Sequence, residues 1–127
     1  MSFNPVFSEL MLEWAMNIGA LPTRPTTFFI SFHTASTGTT GTSEHTGIAR
    51  TSHAAWALGT ADDGIIQNSG AGESAADSTG ATITDFGVWS LSSGGVFYFG
   101  GALTSSKIVG IGDTVTWADG VLTAQIS

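Results

Sequence analysis

Ser43, Glu44 and His45 set a nucleophile, a carboxylate and a base side by side, the residue types of a hydrolase triad. Sequence neighbours on a loop cannot hold the nucleophile, base and orienter in line, so no catalytic residue is assigned and the chain is not expected to be an enzyme. His33, His45 and His53 offer imidazole nitrogens for a metal, but no His pair at i, i+4 and no cysteine supports a site. They read as ordinary strand or surface histidines. Asp62, Asp63 and Gly64 supply oxygen ligands and a turn, yet lack the alternating acids and distal glutamate of a calcium loop. Gly110, Gly112 and Asp113 stand in a glycine-rich turn without the helix N-terminus that would meet a phosphate, and read as a hairpin bend. Trp14, Trp56, Trp89 and Trp117 with Phe97, Tyr98 and Phe99 could make a platform for a sugar or base; in a chain this rich in small residues they are expected to fill the core. No cofactor or metal site follows.

The elements that must carry these residues begin with one helix signal. Asn4 can cap, Pro5 suits the first turn and Gly19 can take the left-handed stop conformation, which predicts a helix over about residues 5–18. At 100° per residue Phe7, Leu10, Met11, Trp14 and Ile18 share a face expected to lie against strands, whereas Leu12 and Met16 project nearly opposite and flank Glu9. Pro22 and Pro25 mark an extended connector over residues 20–26. In residues 27–34, Phe28, Ile30 and Phe32 alternate with Phe29, Ser31 and His33, a strand with one face more buried. Residues 35–47 form a Thr/Gly/Ser loop judged too polar to pack, mobile alone or ordered by a partner. Residues 48–58 give a weakly patterned strand, and Ile65-Ile66-Gln67 a short one.

The last third is clearer. Residues 81–91 and 96–103 flank Ser92-Ser93-Gly94-Gly95, a hairpin turn in which glycines supply positive φ. Two further hairpins are expected around Gly112-Asp113 and around Ala118-Asp119-Gly120. About seven short strands with regular turns predict a mainly β fold, an antiparallel β-sandwich or jelly roll with one N-terminal α-helix, in one domain over residues 1–127.

Composition excludes whole classes of function. Only 10% of residues are charged, against 17 Gly, 18 Thr and 15 Ser, so the surface is covered by hydroxyls and small residues. Ten acids face three bases, and a pI near 4.4 repels phosphate, so no nucleic acid is expected as partner. No apolar run reaches the roughly 18 to 20 residues of a membrane span, and no signal peptide is legible, so no membrane partner is expected either. With no cysteine, stability must come from packing or assembly.

Residues 20–34 (ALPTRPTTFFISFHT), 47–51 (GIART), 94–107 (GGVFYFGGALTSSK) and 112–117 (GDTVTW) resemble small virion structural proteins of tailed bacteriophages, over nearly the whole chain. Such proteins are commonly tail-fibre-like, and similar small β-sandwiches act as capsid decoration or cement subunits. The resemblance implies a subunit made in the host cytoplasm that binds the outside of the assembled head and bridges capsomers. The alternative is a tail or tail-fibre component involved in host attachment. The partners expected on this reading are the major capsid protein and copies of the chain itself, with a trimer favoured. The candidate interface residues are Leu12 and Met16 on the second helix face, Thr39 and Thr40 in the polar loop, and Phe97 and Phe99 on a strand with an aromatic on each side.

Overall fold

The computed structural model describes residues 2–19, 25–58 and 65–125. Its organising unit is a five-stranded antiparallel sheet in the order β1-β8-β7-β2-β3, formed by β1 (Ser2–Phe3), β8 (Phe97–Val109), β7 (Ala81–Trp89), β2 (Phe29–His33) and β3 (Thr51–Ser52). A three-stranded antiparallel sheet joins β10 (Thr123–Gln125), β5 (Ile65–Asn68) and β4 (Trp56–Leu58), and β6 (Gly72–Glu73) pairs with β9 (Thr116–Trp117). One helix, α1 (Pro5–Ala15), follows β1. The fold is thus mainly β, antiparallel and sandwich-like.

The long β7–β8 hairpin follows from its sequence. Gly94 and Gly95 take φ of 62° and 79°, and the turn closes with the Ser90 N–H on the Val96 carbonyl and the Val96 N–H on Ser90 Oγ. The expected strand over 96–103 runs on to Val109, with a register shift between Ile83 and Asp85 that leaves residues 103–106 bulged out of the ladder. A second shift at Val88 and Trp89 lies opposite Tyr98.

One hydrophobic cluster joins the sheets. Ile30, Phe32, Phe86, Val88 and Phe99 of the large sheet meet Ile48, Val115, Trp117, Leu122 and Ala124. Ring contacts cross the gap, Phe32 to Trp117 at 5.8 Å and Trp56 to Phe99 at 5.8 Å. Gly100 and Gly101 are decisive because adjacent strand residues face opposite ways. A side chain at Gly101 would meet the Thr123 carbonyl of β10 at 2.9 Å, and one at Gly100 would strike Thr37 on the other face. The double glycine therefore lets the backbone of β10 approach one face of the sheet and the Thr37 side chain the other.

Several expectations are corrected. The helix ends at Ala15, because Asn17 takes φ 55° and a Schellman cap forms there: Asn17 N–H reaches the Trp14 carbonyl at 3.2 Å and Ile18 N–H the Glu13 carbonyl at 2.9 Å. Of the stripe expected to lie against strands, Leu10, Met11, Trp14 and Ile18 are exposed. β2 is buried on both faces, since Ser31 and His33 lie under residues 35–47. The stretch 48–58 splits into β3 and β4. The hairpins at Gly112-Asp113 and Ala118-Asp119-Gly120 do not form: β9 pairs with β6 and β10 with β5, both across long sequence separations. The connector residues 20–24 lie outside the described residues.

Candidate functional site

The most elaborate polar construction covers the outer face of the large sheet. The loop 35–47 folds back on β2, with Thr34 N–H on the Ser43 carbonyl, His45 N–H on the Phe32 carbonyl and a bridge between His33 and Glu44. Thr37 and Gly41 are buried there, which corrects the expectation of a loop too polar to pack. Its hydroxyls and glycines fit onto a sheet surface that is itself glycine, Gly87 and Gly100.

Beneath the loop runs a one-way chain of hydrogen bonds. The Thr42 carbonyl only accepts, so His33 Nδ1 carries the proton it donates over 2.7 Å. Nε2 then accepts from the Ser31 hydroxyl at 2.7 Å, and Ser31 Oγ accepts from Trp89 Nε1–H at 2.8 Å. Burial pushes the His33 imidazole below its ordinary value, against the opposing pull of the Thr42 carbonyl and of Glu44 and Asp85, as a neutral ring in this chain requires. The ring is a structural strut.

Arg50 ties this loop to the β7–β8 turn. It makes a bidentate pair with Glu44 at 2.8 Å on each arm, donates to the Leu91 and Gly94 carbonyls, and stacks 3.7 Å over Trp89. His45 turns the other way, its Nε2 2.9 Å from both oxygens of Asp77. Burial alone would raise the Asp77 carboxyl, but the Thr79 N–H and the His45 ring outweigh it and hold the group below the ordinary carboxylate range. Glu44 and His45 thus serve different partners, and the triad types are not assembled around Ser43.

The other candidates disperse likewise. His53 bonds the Ser69 carbonyl and stacks edge-on to Trp56 and Trp117. Among the described residues no group of three His, Cys, Asp or Glu is placed to hold a metal. The aromatics form no platform: Trp117 is buried, Trp89 lies under Arg50, Trp56 meets Phe99, and Trp14 is exposed on the helix. Asp113 closes its turn by accepting from the Gly110 N–H, and Asp62-Asp63-Gly64 lies outside the described residues.

Of the six candidate interface residues, Leu12, Met16, Thr39 and Thr40 are exposed. Phe97 and Phe99 are not; they are 2% and 6% exposed, Phe97 packed on Trp89 and Phe99 on Trp56, so both sides of that strand are covered within this chain. An open groove of about 570 Å³, missed in the sequence because a hairpin was expected there, runs between residues 107–109 and 113–116. No described helix is long and apolar enough to cross a membrane.

A family described as Podophage GP4 fiber I protein gp80 matches residues 3–125. The chain belongs to this family. It is a structural component of a tailed-phage virion, tail-fibre-like in kind. No curated protein matches it. Two of the stretches that carried the resemblance have clear structural roles: GGVFYFGGALTSSK covers the end of the turn and most of strand β8, and the Arg of GIART is Arg50, the clamp between loop and turn.

Proposed function

We propose that this phage structural protein is a tail-fibre component that takes part in attachment to the host. The observation that carries the reading is the fibre family matching residues 3–125. That description names a fibre and not a head protein, which favours the tail over the capsid-decoration role. The geometry supports a binding module: polar clusters are spent internally on fixing loops, and the exposed surface is hydroxyl-rich and apolar. Several copies on one particle add avidity without any single tight site.

Deleting the gene and measuring two properties of the particles tests this. Adsorption should fall while heads release DNA on heating at the wild-type temperature. Normal adsorption combined with heat-labile heads would overturn it and favour a subunit that bridges capsomers.

A further inference from the structure

Among the described residues, little of the chain covers the apolar surface of α1. The helix is well formed: β1 pairs with β8 just before it, Asn4 N–H bonds the Tyr98 carbonyl, and the Schellman cap at Asn17 closes its end. Eleven residues are too few for a stable isolated helix in water, so packing of an apolar face must supply the rest. Yet Leu10, Leu12, Trp14, Met16 and Ile18 are 39%, 66%, 61%, 70% and 60% exposed. Leu10 and Trp14 lie one turn apart on one side of the helix, Leu12 projects nearly opposite, and Met16 and Ile18 extend the exposed apolar surface through the cap. Together they expose on the order of 600 Å², approaching the ~800 Å² that each partner of a stable complex buries.

We infer that α1 is a docking helix that seats in an apolar, two-walled groove with a Lys/Arg rim on another protein of the phage particle. Two opposed apolar sides fit a groove better than a flat surface, and the i, i+4 spacing of Leu10 and Trp14 is that of helix-in-groove anchors. The rim chemistry follows from Glu9 and Glu13, which flank the Leu12 and Met16 side. A second copy supplies that rim poorly, because the chain carries ten acids to three bases, Arg50 is already committed to Glu44, and among the described residues Lys107 alone is left to meet the two glutamates. The inference rests on membership of the virion and not on the tail position.

The test places Leu12→Ser, Trp14→Ser and Met16→Ser together in the phage gene and counts the chain per purified particle by quantitative blotting. Incorporation should drop at least about tenfold, while the purified variant keeps the wild-type urea unfolding midpoint, since exposed positions contribute little to the fold. A second variant, Glu9→Lys with Glu13→Lys, should lose incorporation against a basic rim. Full incorporation of either variant overturns the proposal. So does a wild-type chain whose mass in light scattering rises with concentration and falls to monomer in the triple variant, because the occupant is then a second copy. Particles that lose the chain but adsorb normally count against the attachment role alone.

Discussion

Asn68 shows how one buried amide fixes two turns. Its Nδ2 donates to the Gly70 and Ala118 carbonyls and its Oδ1 accepts from the Leu122 N–H, all within 2.9 Å. At about 1 kcal/mol for each bond, Asn68→Ala should cost about 3 kcal/mol in urea unfolding. Gly87 is a steric case: a Cβ there would lie 2.7 Å from Ser31 Oγ and 2.8 Å from His33 Nε2, splitting the polar chain. Gly87→Ala should cost about 2–3 kcal/mol, the upper part of the overpacking range, whereas Gly94→Ala, which meets nothing within 4 Å, should cost only the left-handed backbone penalty of about 1 kcal/mol. The titrating groups give a pH profile. His33 is depressed in the fold, so the unfolded chain binds the proton first, and stability is lost as pH falls below about 6.5. Asp77 is depressed too, so a second loss follows below about 3.8. Unfolding midpoints between pH 7 and 3 should show both steps, and His33→Gln should remove the upper one.

At the scale of elements, the loop 35–47 behaves as part of the sheet it covers. The amides of Thr34, Thr42 and His45 donate to carbonyls of β2 or of the loop itself, at 3.1, 2.8 and 2.8 Å. Hydrogen exchange on the purified chain should therefore find these three amides protected without any partner. Exchange at the rate of an open loop would show that ordering waits for assembly. Thr39 and Thr40, at the exposed tip, remain available to a partner. α1 contrasts with the loop: its backbone is closed by a proper cap while Leu12, Trp14 and Met16 go largely uncovered, the pattern of an element suited to burial against a partner.

For the whole molecule, one five-stranded sheet and two smaller ones share one core, so none should unfold by itself. Trp117 is the joint, stacked between Phe32 and His53 and packed onto Gly72, where a Cβ would collide with the indole. Far-ultraviolet and near-ultraviolet circular dichroism should give coincident urea transitions, as a two-state unit requires. Trp117→Ala should cost about 3–5 kcal/mol. Among the described residues the buried Trp117 Nε1 finds no acceptor, so Trp117→Phe exchanges lost volume for relief of a stranded N–H and should stay within about 1 kcal/mol of wild type.

The elements that depend on neighbours along the chain are legible in the amino-acid sequence by itself. The Ser/Gly turn sets the β7–β8 hairpin, alternation marks β2, and Pro5 opens α1, because each is decided by local φ/ψ preference and side-chain period. The spacing of strong turn signals likewise announces a mainly β chain. Pairing across distance is what the sequence alone does not decide. Gly112-Asp113 and Ala118-Asp119-Gly120 are both turns, yet β9 pairs with β6 and β10 with β5, since Trp117 needs the surface of Gly72 and Ala124 needs the core. Burial is decided in the same way. Phe97 and Phe99 are buried because the loop 35–47 and the small sheet cover opposite faces of β8, and Trp14 and Ile18 are exposed because little of the described chain reaches them. Periodicity states which side chains share a face; only the tertiary structure supplies, or withholds, the surface that meets it.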